Sequence, residues 1–151
     1  MFEAIRRFLD EFSGDDDEAH TGDDDVRLAS ATLLFHVMGI DGVASKEEAE
    51  LLRDLLSRRF ELGEEDARQL VAAAGEADAQ AVDLYGFTSV LKQHLDVAER
   101  ERIVEMMWRI VFADGNVHEF EDNLVWRVAE LLGVSSQARI RLKQVVRGDG
   151  A

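Results

Sequence analysis

The stretch Leu34-Phe35-His36-Val37-Met38-Gly39-Ile40-Asp41-Gly42-Val43-Ala44-Ser45-Lys46-Glu47-Glu48 has an echo 73 residues later, Met107-Trp108-Arg109-Ile110-Val111-Phe112-Ala113-Asp114-Gly115-Asn116-Val117-His118-Glu119-Phe120-Glu121. Sliding the chain on itself by that offset superposes residues 27–56 on 100–129. It matches Arg27 with Arg100, Asp41 with Asp114, Gly42 with Gly115, Glu48 with Glu121 and Leu51 with Leu124. Five identities alone would be modest, but the apolar pattern agrees too. Ala31, Leu34, Phe35 and Met38 in one copy, and Val104, Met107, Trp108 and Val111 in the other, mark the same i, i+3, i+4, i+7 stripe of an amphipathic helix. Each copy therefore reads as helix, Asp-Gly turn, helix. Two such hairpins, each apolar on one face, can bury those faces against each other and against the helices between them.

Outward from the repeat, the periodicity stays helical from Val26 onward, and no strand-like alternation is sustained. The spacing predicts helices over about 26–39, 46–60, 64–74, 78–94 with a break near Gly86, 97–113, 119–132 and 136–147. Ser45-x-x-Glu48 and Asp96-x-x-Glu99 have the form of capping boxes, in which side chain and backbone satisfy each other's free N–H groups at a helix start. Gly63 and Gly133 are expected to take the left-handed conformation that ends a helix, with Ser135 capping the next one. The expected fold class is all-α: a compact bundle of about seven helices with an internally duplicated helix, Asp-Gly turn, helix unit.

With 151 residues the chain is long enough for a sizeable core without disulfides or a structural metal. It has no Cys, which excludes thiolate metal sites and cysteine nucleophiles and fits a reducing compartment. Its 32 acidic residues against 17 basic ones give a formal charge of −15. A field of that sign repels nucleic-acid phosphates and anionic membrane surfaces, so nucleic acid is not an expected partner, and cations or basic protein faces are. The start, Met1-Phe2-Glu3-Ala4-Ile5-Arg6-Arg7, lacks the apolar segment of a signal peptide, and no run approaches the roughly 18 apolar residues of a membrane span. Neither secretion nor direct membrane insertion is expected.

Three sections follow from composition. Residues 1–12 place Phe2, Ile5, Leu9 and Phe12 at helical spacing, an N-terminal amphipathic helix that either packs on the domain or docks a partner. Residues 13–25 belong to an acidic run that, from Asp10 to Asp25, holds nine carboxylates and no Lys or Arg; so little of it is apolar that it reads as a solvated linker. Residues 26–148 form the helical domain.

Asp41 with Glu48, and Asp114 with Glu121, are the candidate site residues, each Glu seven positions after its Asp. The spacing invites comparison with the calcium loop of an EF-hand. The first and third ligand positions, however, would fall on Val37 and Gly39 or on Ile110 and Phe112, which offer no carboxylate. Two readings remain. In the simpler one, Asp before Gly makes a side-chain turn and Glu caps the next helix. In the sharper one, Asp41, Glu48, Asp114 and Glu121 converge and hold a hard divalent cation, Ca²⁺ or Mg²⁺, through oxygen ligands, although the positive end of the second helix opposes a cation there.

Other chemistry finds little support. His20, His36, His94 and His118 make no H-E-x-x-H arrangement, and no G-x-S-x-G, Walker or G-x-G-x-x-G motif is present. His36 is expected to be a packed helical residue. Trp108, Trp126, Tyr85 and Phe87 are expected to anchor the core or the helix contacts, since no basic groove surrounds them as a stacking platform would need.

The turns Ile40-Asp41-Gly42 and Phe112-Ala113-Asp114-Gly115, together with Asp83-Leu84-Tyr85-Gly86-Phe87-Thr88 and Met107-Trp108-Arg109-Ile110-Val111, resemble the tellurite-resistance TerB family over residues 26–145. The resemblance implies a bundle of around seven helices in a bacterial, cytoplasmic protein without enzymatic activity, acting in tellurite or metal stress. It also implies acidic residues at these turns that bind metal, here Asp41, Glu48, Asp114 and Glu121, and a membrane partner of the TerC type. The alternative function is an interaction module that recruits a basic or membrane-associated partner through the acidic surface and the N-terminal helix.

Overall fold

The computed structural model describes residues 22–39, 46–113 and 119–149. Among them are seven helices and no strand: α1 (Gly22–Gly39), α2 (Lys46–Phe60), α3 (Glu64–Gln80), α4 (Tyr85–His94), α5 (Val97–Val111), α6 (Glu119–Leu131) and α7 (Ser136–Asp149). Residues 1–12 of the expected N-terminal helix and residues 13–21 of the acidic run lie outside the described residues. Helix α1 begins four residues earlier than the periodicity predicts, which draws Asp24 and Asp25 into its first turns, where the helix dipole favours carboxylates.

The duplication is visible in the helices themselves. Residues 46–58 of α2 and 119–131 of α6, which the 73-residue offset relates, are helical in both copies. It also extends further than the sequence suggested, to a third helix. α3 packs on α1 and α2 as α7 packs on α5 and α6, so α1–α2–α3 and α5–α6–α7 are two three-helix units with α4 between them. The core joins the two units. α1 packs against every helix from α2 to α6, and Leu28, Ala29, Ala31, Leu33, Leu34, Val37 and Met38 are buried around nearly its whole circumference. A helix apolar all round belongs in the interior. Thr32 stays buried at low cost because its hydroxyl donates to the Leu28 carbonyl at 2.6 Å. α5 is the counterpart, burying Ile103, Val104, Met106, Met107, Trp108, Ile110 and Val111.

Local chemistry explains most ends. Asp96 and Glu99 form the expected capping box at the start of α5, with the Glu99 amide donating to Asp96 Oδ1 at 2.8 Å and the Asp96 amide to Glu99 Oε1 at 3.1 Å. The Ala138 amide donates to the Ser135 hydroxyl at 3.1 Å, so Ser135 caps α7 as expected. Gly133 takes the left-handed conformation, φ +74°, and the Val134 amide returns to the Ala129 carbonyl, closing α6 with a Schellman turn.

The expectation for Gly63 fails. That residue is extended (φ −70°, ψ 171°) and precedes α3, while the left-handed position closing α2 is Glu61, φ 53°, with the Leu62 amide bonded to the Ser57 carbonyl. The Schellman geometry fixes the second residue back from the loop end, whichever side chain stands there. The break expected near Gly86 also lies elsewhere. α3 runs unbroken through Gly75 to Gln80, residues 81–84 make the interruption, and Gly86 sits inside the first turn of α4. The helix tolerates Gly75 because packing uses it: a Cβ there would come within 3.1 Å of the Phe35 ring on α1. Asp83 Oδ1 accepts from the Tyr85 amide at 3.0 Å, which places the start of α4 at Tyr85.

Candidate functional site

The two candidate glutamates occupy one position twice. Glu48 is the third residue of α2 and Glu121 the third residue of α6, and each is only 3% exposed. They are the only ionisable side chains among the described residues to be so buried. A carboxylate costs several kcal/mol to withdraw from water unless the protein supplies compensation, and the N–H groups of a helix's first turn supply part of it. Asp41 and Asp114, with Ser45 and His118, lie outside the described residues, so the structure places half of the expected set. Among the described residues no group of three or more His, Asp or Glu is arranged to hold a metal. The donor chemistry itself is oxygen only, which suits Ca²⁺ or Mg²⁺ better than a soft metal.

His36 is packed as expected, and its role is more specific than packing. Its Nδ1 lies 2.7 Å from Asp78 Oδ1, tying α1 to α3 across a half-buried contact. Of the aromatic residues, Trp108 and Phe87 are buried, and Trp126 is half-buried with the Arg139 guanidinium 5.3 Å from its ring. Tyr85 corrects the expectation of a core anchor. It is 67% exposed, because α4 presents Phe87, Thr88 and Leu91 to the interior and Tyr85 falls on the outer side. Phe120, beside Glu121, is 73% exposed.

At the other end of α1 is a feature that sequence reasoning missed. Val26 and Arg27 at the start of α1, Arg59 and Glu61 at the end of α2, His94 at the end of α4 and Glu99 at the start of α5 wall a cavity of about 340 Å³. These residues come from four separate segments with no common spacing, so no linear signal marked them. Their meeting fixes a direction: the first helices of both units begin at this cavity and run away from it toward the two Asp-Gly turns. For α1 that run is about 27 Å.

No described helix is long and apolar enough to cross a membrane. Comparisons with curated proteins and with solved structures find no significant match. The family model of the tellurite resistance protein TerB, by contrast, matches residues 27–144, which takes in all seven helices apart from the first five and last five of the described residues. The duplicated hairpins, the all-helical architecture and this match over most of the chain agree: the chain belongs to the TerB family.

Proposed function

We propose that the chain is a non-enzymatic TerB domain of a bacterial tellurite or metal stress response, binding a hard divalent cation weakly at its two Asp-Gly turns. The observation that carries this reading is the twin burial of Glu48 and Glu121 at the same place in α2 and α6. A cap alone needs a carboxylate at the helix start but no burial of it, since an exposed one serves the dipole as well. Asp41 and Asp114 are the further ligands assigned to the site.

The test is a thermal melt of the intact protein with Ca²⁺, Mg²⁺, Mn²⁺ or Zn²⁺ against a chelator. A cation present at 100 times its Kd stabilises the native form by about 2.7 kcal/mol, which for a domain of this size raises the midpoint by roughly 5–10 °C. The Asp41→Asn, Asp114→Asn double variant is expected to remove the shift. A melt that no cation moves leaves capping as the role of these residues.

A second reading, a module that recruits a basic or membrane-associated partner of the TerC type, is favoured by the exposure of Tyr85 and Phe120 on an otherwise acidic protein. Aromatic side chains standing in water are common anchors of protein interfaces. Tyr85→Ser with Phe120→Ser would abolish such recruitment and leave cation binding intact.

A further inference from the structure

A groove on the first three-helix unit has no part in the reading above. Phe35 on α1 and Val71, Ala72, Gly75, Glu76 and Ala79 on α3 line an open depression of about 540 Å³ whose surface is mostly apolar. α3 already buries Ala67, Ala74 and Ala77 on its inner side, so it is apolar on the outer side as well. An apolar helix face left in water marks a surface that something covers. We propose that residues 1–12 of the same chain dock there as an amphipathic helix, with Phe2, Ile5 and Leu9 against the Phe35 ring and the floor at Gly75, and Arg6 beside Glu76.

The tether permits it. α1 starts at Gly22, and Phe35 stands about 20 Å further along that helix, whereas residues 13–21 can span up to about 30 Å when extended. The lengths agree too. From Val71 to Ala79 the groove follows about 12 Å of α3, and a helix from Phe2 to Leu9 takes up about 10 Å. With no side chain at Gly75 and only methyl groups at Ala72 and Ala79, a second helix can approach closely.

Charge selects this occupant. Glu76, on the groove wall, has no ion-pair partner among the described residues, and α3 carries five carboxylates against Arg68 alone. Residues 1–9 reverse the balance, with Arg6 and Arg7 against Glu3. On a helix, Arg6 lies four residues after Phe2 and three before Leu9 and so borders the apolar face, whereas Asp10 and Glu11 fall on the outward side. A second copy of the chain, itself at −15, is repelled. Tethering gives the segment an effective concentration of about 1 mM, so an intrinsic Kd of about 0.1 mM covers the groove roughly nine-tenths of the time. So shallow a closure opens well before the domain unfolds, and the groove is empty in the unfolding transition itself.

The chain has no Cys, so Ala79→Cys puts a single thiol on the groove, and its alkylation by iodoacetamide in the intact 151-residue chain reads how often the groove is open. Alkylation is expected to be about tenfold slower than in the same protein carrying Ile5→Asp and Leu9→Asp. Gln144→Cys, at an exposed position on α7, should react alike in both backgrounds. Glu76→Arg should speed labelling at position 79, and adding Arg6→Glu should slow it again. The proposal is overturned if the two Asp substitutions leave the rate unchanged, if position 144 responds as much as position 79, or if the reversed charge pair does not restore protection. Protection that grows with protein concentration overturns it equally, because a second copy is then the occupant.

Discussion

The two three-helix units solve one packing problem with different side chains. In α1–α2–α3 the first helix meets the third through small residues: Ala67, Ala73, Ala74 and Ala77 are buried on α3, and the Phe35 ring lies over Gly75. In α5–α6–α7 the equivalent of Phe35 is Trp108, fully buried and covered by the Lys143 ammonium, which sits 5.0 Å from the ring centre and 2.6 Å from Asp122. Next to these positions, His36 reaches across to Asp78 on α3, whereas its counterpart Arg109 turns back along its own helix to Glu105 at 3.3 Å. Among the described residues, the first unit is joined by close approach and one inter-helix polar bond. The second is joined by a large ring under one long cationic arm, a combination in which the lysine stem contributes apolar contact as well as charge.

The sharpest way to test that contrast is to truncate the two rings. Trp108→Ala removes a side chain with no exposed surface and should cost about 3–5 kcal/mol, whereas Phe35→Ala, at the edge of an open groove, should cost about half as much because part of the ring is already in water. Urea denaturation of both variants measures the difference. Equal costs would mean the two units are packed alike.

The helix ends offer a smaller, signed test. Both second helices close with a Schellman turn, on Gly133 in one unit and on Glu61 in the other. Gly133→Ala should destabilise by about 1–2 kcal/mol, with a further loss because the new Cβ would lie 2.9 Å from Arg100 Nη1, which bonds the Leu132 carbonyl. Glu61→Gly should stabilise by up to about 1 kcal/mol. Opposite signs in the two melting curves are the expected result, and like signs would contradict the shared turn geometry.

The smallest effect is expected at Ser30, whose counterpart in the second unit is Ile103. Both are fully buried, but the Ser30 hydroxyl has no hydrogen-bond partner among the described residues. Ser30→Ala should raise the urea midpoint, by about 0.5–1 kcal/mol in stability, and a drop would show that the hydroxyl is satisfied in solution.

What the sequence disclosed follows from the range over which each signal acts. The hairpin duplication, the Asp96–Glu99 box, the Ser135 cap and the Gly133 turn are set by neighbours within a few residues, so periodicity and spacing reveal them. The uninterrupted course of α3 is set by Phe35, forty residues from Gly75, and glycine's poor helix propensity gave the wrong boundary there. Both third helices were expected, but their place in the repeat escaped detection because Ala-rich α3 and Arg-rich α7 occupy corresponding positions and share almost no sequence. At the candidate site, the spacing picked out Glu48 and Glu121 but carried no information on their burial. The cavity at the start of α1 had no linear signature at all.

The enclosure of α1 has a consequence for how the domain breathes. A helix walled in by five others cannot release its amide protons to deuterium by fraying or by local opening, so its slowest exchange reports the free energy of unfolding the whole domain. This helix ends at Gly39, two residues before Asp41. An ion held at that bend would therefore slow proton exchange far beyond its own neighbourhood, through the most protected amides in the protein.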